Sequence, residues 1–168
     1  MNNKLIESID LAICESQNPI IIEGNYGDGK STYLRDKYSP FAVYLPEAKT
    51  TDLFVNYFGD KKIYPKWYVN LCTAYMQSPD KKNLLVLDAL EQAEYEIVTR
   101  IFKEIILNEN NEYYIPENTQ IVFITNGKTP EEQERLFKEY SEYITFVKGK
   151  DRDNIQIIFG KNKREKNK

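Results

Sequence analysis

The chain has 168 residues, enough for one domain whose core buries roughly 70% of the unfolded surface. Hydrophobic residues make up 41% and charged residues 29%, proportions that exclude wholesale disorder, and a net charge of −3 gives no electrostatic reason for nucleic-acid binding. No apolar run approaches the ~20 residues of a membrane-spanning helix, and Glu7 and Asp10 interrupt any signal-like opening, so a cytoplasmic location without membrane partners is expected.

Residues 3–16 set Leu5, Ile6, Ile9, Ala12 and Ile13 at helical spacing and predict an amphipathic helix that Asn18-Pro19 ends. Ile20-Ile21-Ile22 is a continuous β-branched run, as a strand buried on both faces requires. Ser31 to Lys37 then begins a helix that stops before Ser39-Pro40, and Phe41 to Leu45 reads as a second strand. Residues 46–83 hold a helix start at Thr50-Thr51-Asp52, a turn near Gly59-Asp60 and a helix from Trp67 to Met76 that Ser78-Pro79-Asp80 breaks. Leu84 to Leu87 is a further apolar strand ending on Asp88. Ile97, Ile101 and Ile105 recur every four residues, as do Val98, Phe102 and Ile106, which predicts a helix. After the polar stretch 108–118 come a strand over Ile121 to Ile124, a helix from Pro130 to Tyr140 and a strand near Ile144 to Val147.

Short buried strands alternating with helices predict an α/β domain over residues 1–160 with a mostly parallel five-stranded sheet. Residues 161–168, with five basic side chains in eight, read as a solvated tail that touches phosphates weakly at most. Cys14 and Cys72 both fall in apolar, helix-like contexts and are expected to be buried free thiols. With no His and no C-x-x-C pair, nothing supports a disulfide or a metal site at either.

Glycine is scarce, yet three of seven fall within six positions. Gly24-Asn25-Tyr26-Gly27-Asp28-Gly29-Lys30-Ser31, followed by Thr32, fits G-x-x-x-x-G-K-S/T, with an apolar strand before it and a helix after it. Glycines let such a loop curl its amides inward, and the helix N-terminus adds its positive dipole end. Lys30 is then expected at the loop rim, solvated until it meets the β- and γ-phosphates, with the Ser31 hydroxyl on Mg²⁺. Tyr26 is expected to be exposed, packed peripherally or stacked on a base or a neighbouring subunit. Asp88, at the carboxyl end of its strand, is the candidate Mg²⁺-side carboxylate, and Asn126 is a polar strand tip able to orient an attacking water.

The stretch Leu84 to Ala93, the turn Tyr114-Ile115-Pro116-Glu117-Asn118 before Ile121 to Asn126, and the segment Thr51 to Gly59 resemble the MoxR-like branch of the AAA+ ATPases over roughly residues 5–147. That resemblance implies an αβα core, an ATP–Mg²⁺ site and nucleotide-dependent assembly with itself or with a partner protein. Position by position it makes Lys30 and Ser31 the phosphate and Mg²⁺ residues, Asp88 the Mg²⁺-side carboxylate and Asn126 the sensor. The chain departs from the pattern in three places. Ala89 stands where the catalytic Glu follows the Asp, leaving Glu91, two positions late, as either the substitute or a helix first-turn carboxylate. No Arg occupies the finger position near Tyr140-Ser141-Glu142-Tyr143, with Arg135 displaced from it, and the helical lid is expected to be lacking. Slow or absent hydrolysis follows as the expectation, with Ala89→Glu expected to raise it. The alternative is a small-molecule kinase transferring the ATP γ-phosphoryl group, although the five Arg residues form no lid-like cluster.

Overall fold

The computed structural model describes residues 2–161; the basic tail expected over residues 161–168 lies, apart from Lys161, outside the described residues. Helix α1 (Asn3–Glu15) starts with the Asn2 side chain accepting the Lys4 amide and leads into β1 (Ile20–Gly24), all five residues of which are buried. Then follow α2 (Lys30–Tyr38), β2 (Phe41–Tyr44), the single turn α3 (Thr50–Leu53) and a hairpin of β3 (Asn56–Phe58) and β4 (Lys61–Ile63). The second half runs α4 (Lys66–Gln77), β5 (Asn83–Asp88), α5 (Tyr95–Arg100), β6 (Thr119–Asn126), α6 (Glu131–Glu139), β7 (Thr145–Lys148) and β8 (Gln156–Ile158).

The central sheet has the order β2-β5-β6-β1-β7-β8. All its pairings are parallel except β7 with β8, so it is a mostly parallel α/β sheet with one antiparallel edge. The five strands expected are joined by this sixth, which the sequence reading missed because its Ile157 is only half-buried between exposed neighbours.

Alternate side chains of the strands feed two cores. Ile20, Ile22, Val86, Val122 and Ile124 pack with Leu5, Ile9 and Ile13 of α1 and Leu34 of α2 on one face. Ile21, Leu85, Leu87 and Phe123 pack with Trp67 and Leu71 of α4, Val98 of α5 and Phe137 of α6 on the other. The result is three layers with helices on both faces.

Two local outcomes differ from the periodicity. Beyond α5 the chain widens into a π-helical stretch over Ile101–Ile106. A stripe repeating every four residues drifts around a 3.6-residue helix, and the extra residue per π turn returns Ile101, Ile105 and Ile106 to the core face. The two cysteines are free but not buried: Cys14 is exposed and Cys72 half-exposed, because each sits just past the buried stripe of its helix (Ala12-Ile13 and Leu71). No helix among the described residues is long and apolar enough to cross a membrane.

Candidate nucleotide site

The glycine cluster forms the connection from β1 to α2, at the carboxyl ends of the parallel strands. This is the end of an open α/β sheet where ligand crevices form. Gly27 and Gly29 have φ of 79° and 80°, the left-handed backbone that a side chain disfavours, and they curl the loop so that α2 begins at Lys30. Gly24 is required for a different reason. A Cβ there would lie 2.8 Å from both Cδ and Nζ of Lys30.

That contact keeps Lys30 out of the solvent in which it was expected. Lys30 is 2% exposed rather than solvated; its stem crosses Gly24 and its Nζ donates to the Asn25 carbonyl at 3.0 Å. Burial pushes its pKa down, against the pull of Asp28, Asp88 and Glu91. The loop's polar side chains are occupied in holding its shape. Asp28 Oδ2 accepts the Asn25 amide at 2.8 Å, and Asn25 Nδ2 donates to the Lys150 carbonyl at 3.0 Å. The Tyr26 ring lies over Gly127 and is 65% exposed, and Thr32 points outward from the first turn of α2. What this loop offers an anion is therefore its backbone amides, the α2 N-terminus and the Lys30 ammonium.

β6 lies between β1 and β5, which pairs Gly24 with Asn126 in register and sets β5 beyond it. Ser31 Oγ nevertheless reaches across and donates to Asp88 Oδ2 at 3.0 Å, while Asp88 Oδ1 accepts the Ala89 amide at 2.8 Å. A hydroxyl and a carboxylate oxygen at hydrogen-bond distance form a hard-oxygen pair suited to Mg²⁺, which is typically held by one or two protein oxygens together with phosphates. Among the described residues there is no cluster of three or more His, Cys, Asp or Glu side chains that could hold a metal without such help.

Glu91 arrives by an unusual path. Ala89 takes φ 60° and ψ 47°, turning the chain into a short 3₁₀ segment, Leu90–Gln92. This places Glu91 Oε1 as acceptor of the Asn126 amide at 2.9 Å. Its other oxygen, Oε2, is buried with no hydrogen-bond partner. Burial raises the Glu91 pKa, with bonds from Asn126 and from its own backbone opposing the shift. Lys30, Ser31, Asp88, Glu91 and Asn126 thus converge, whereas Arg135 stays exposed on α6.

Three residues absent from the sequence reading, Gly149, Lys150 and Arg152, also border the loop. The segment after β7 folds across it: Gly149 donates to the Glu23 carbonyl at 2.8 Å and Arg152 pairs with Asp28 at 3.3 Å. Lys150 Nζ also donates to Thr129 Oγ1 at 3.2 Å. A Gly at a strand end, with basic residues one and three positions beyond it, was the available signal. Under this strap lies a cavity of about 380 Å³ lined by Leu5, Gly27, Asp28, Gly149, Arg152 and Ile155.

No family model matches the chain, and no curated protein matches it. Solved structures do, among them the closed-state cryo-EM reconstruction of Hsp104 with ATPγS and FITC casein, at 12% identity and a TM-score of 0.45. The match covers 84% of this chain, which spans 30% of the length of that one.

Proposed function

We propose that this domain binds ATP with Mg²⁺ at the β1–α2 loop and uses the bound state to control self-assembly or the docking of a partner protein. The single observation that carries the reading is the contact of Ser31 with Asp88. Two segments distant in sequence bring a hydroxyl and a carboxylate together at the end of a loop whose glycines and lysine suit phosphate. In this reading the remaining amides of the loop, beyond those of Asn25 and Asp28 that are bonded within it, together with the α2 N-terminus and the Lys30 ammonium take the phosphates, and Ser31 and Asp88 hold the ion. The ion, when bound, neutralises charge on the phosphates. The apolar walls of Leu5 and Ile155 in the 380 Å³ cavity beside Gly27 seat the nucleoside. The resemblance of Leu84 to Ala93 to the MoxR-like AAA+ pattern supports the same assignment and motivates the assembly component.

The test is thermal unfolding with ATP alone, ATP–Mg²⁺ and EDTA, followed by light scattering across protein concentrations. A rise in Tm that depends on both ATP and Mg²⁺ is expected, with larger species in the nucleotide-bound sample. No rise at saturating ATP–Mg²⁺ defeats the reading. A rise without any change in scattering, with or without candidate partner proteins, removes its assembly component.

A further inference from the structure

The β1–α2 loop carries a charge of the wrong sign for phosphate. Asp28 lies between Gly27 and Gly29, and its side chain is only 6% exposed. One of its oxygens has a structural task, since Oδ2 accepts the Asn25 amide at 2.8 Å. A neutral asparagine oxygen would serve there without bringing a negative charge to the loop. Lys30 registers that charge: Asp28 leads the carboxylates that oppose the fall of its pKa on burial. The other oxygen, Oδ1, accepts Arg152 at 3.3 Å, from 124 positions further along the chain. Backbone contacts of the strap set Arg152 there. Gly149 donates to the Glu23 carbonyl, Asn25 Nδ2 to the Lys150 carbonyl, and Asn2 Nδ2 to the Arg152 carbonyl at 3.3 Å. Between two exposed side chains such an ion pair contributes little. Here one partner is buried, and removing the other leaves an uncompensated charge.

We propose that Arg152 sets nucleotide affinity by neutralising Asp28, so that a carboxylate built into the loop does not repel the phosphates of the nucleotide. The proposal deepens the nucleotide reading above and rests on it. Arg152 is a positioning residue in this role, acting through Asp28 and not by touching the phosphates. Without its guanidinium, Asp28 and the phosphates are like charges in a partly desolvated loop, where repulsion is several times stronger than in water. The guanidinium arrives on the strap, so strap docking and nucleotide affinity are linked. ATP then favours the docked strap by the same factor by which docking favours ATP.

The experiment is titration calorimetry of ATP–Mg²⁺ against wild type, Arg152→Gln, Asp28→Asn, the double variant and Arg152→Lys, each at low and high salt. Arg152→Gln should bind about tenfold more weakly than wild type (~1.4 kcal/mol). That loss should shrink as salt screens the repulsion. Asp28→Asn keeps an acceptor for the Asn25 amide and should bind at least as tightly as wild type. In its background Arg152→Gln should change affinity by no more than about twofold, since no charge remains to neutralise. Arg152→Lys keeps the charge and should stay within about threefold of wild type. Wild-type affinity in Arg152→Gln overturns the proposal. So does an equal loss with and without Asp28, which would put Arg152 on the phosphates themselves, or a loss that salt leaves unchanged, which would mark a loosened loop. The Arg152 side chain is 71% exposed, so its replacements should fold. If Arg152→Gln does not, a tenfold loss in a folded Arg152→Lys equally overturns the proposal. Wild type that binds no ATP–Mg²⁺ at all removes the nucleotide reading and this proposal with it, whereas tight binding that is indifferent to Arg152 removes the proposal alone.

Discussion

Lys30 separates packing from ligand binding within one side chain. At 2% exposure, with its stem against Gly24, it contributes buried methylenes as well as charge. Lys30→Ala deletes three methylenes at ~0.8 kcal/mol each, about 2 kcal/mol of packing. For a chain of this size that is a fall in Tm of roughly 4–8 °C, taking ~2–4 °C per kcal/mol. Lys30→Met keeps most of the volume and removes the ammonium. Burial lowers the Lys30 pKa, so the folded state disfavours its charged form relative to the unfolded chain. Below that lowered pKa the buried charge costs stability, and the cost disappears only as pH rises through it. Lys30→Met should therefore unfold no earlier than wild type at neutral pH. ATP–Mg²⁺ at about 100 times its Kd adds roughly 2.7 kcal/mol, a rise on the order of 5–10 °C in wild type. Both variants should lose most of that rise. Differential scanning calorimetry with and without ATP–Mg²⁺ on the three proteins decides the matter. A large fall in the ligand-free Tm of Lys30→Met, or an intact nucleotide response in it, would refute the reasoning.

Three further outcomes are expected. Asp10 on α1 accepts from Tyr33, Lys37 and Tyr38 of α2 at 2.6–2.8 Å. Burial raises its pKa, but those donors together hold it below the usual carboxylate range. Asp10→Asn should cost about 1–2 kcal/mol by urea unfolding at pH 7, allowing for its partial exposure. Because its folded-state pKa is depressed, that difference should be full above about pH 4 and close as pH falls through the Asp10 pKa. Glu112 binds Lys62 and Tyr57 of the β3–β4 hairpin, and the bond from Lys62 foremost lowers its pKa. Glu112→Gln should speed amide hydrogen exchange across residues 56–63 at neutral pH, and unchanged protection would show that the hairpin holds itself. Ile155→Trp, filling the 380 Å³ cavity, should weaken ATP binding at least about tenfold by titration calorimetry (~1.4 kcal/mol) with little change in Tm; unchanged affinity would move the nucleoside elsewhere.

Local chemistry carried much of the domain in the sequence alone. Ile20-Ile21-Ile22 and Leu84 to Leu87 read as buried strands because each is a short continuous apolar run bounded by turn residues, the first of them wholly β-branched. The candidate phosphate loop was legible because the glycines, lysine and hydroxyl of that pattern are adjacent in the chain, and the flanking strand and helix were equally local. Contacts made across the sheet were not legible. The insertion of β6 between β1 and β5 decides that Asn126 meets Glu91, a pairing of residues 35 positions apart that no spacing rule encodes. Whether Glu91 was a surface carboxylate or part of the site depended on the left-handed turn at Ala89, a conformation that an alanine does not announce. Burial of Lys30 likewise follows from its stem crossing Gly24 and its ammonium turning back to the Asn25 carbonyl, and Cys14 was exposed by one helical step past Ile13. Sequence periodicity reports which side chains avoid water; which of them meet is set by strand order and by the few backbone turns that redirect the chain.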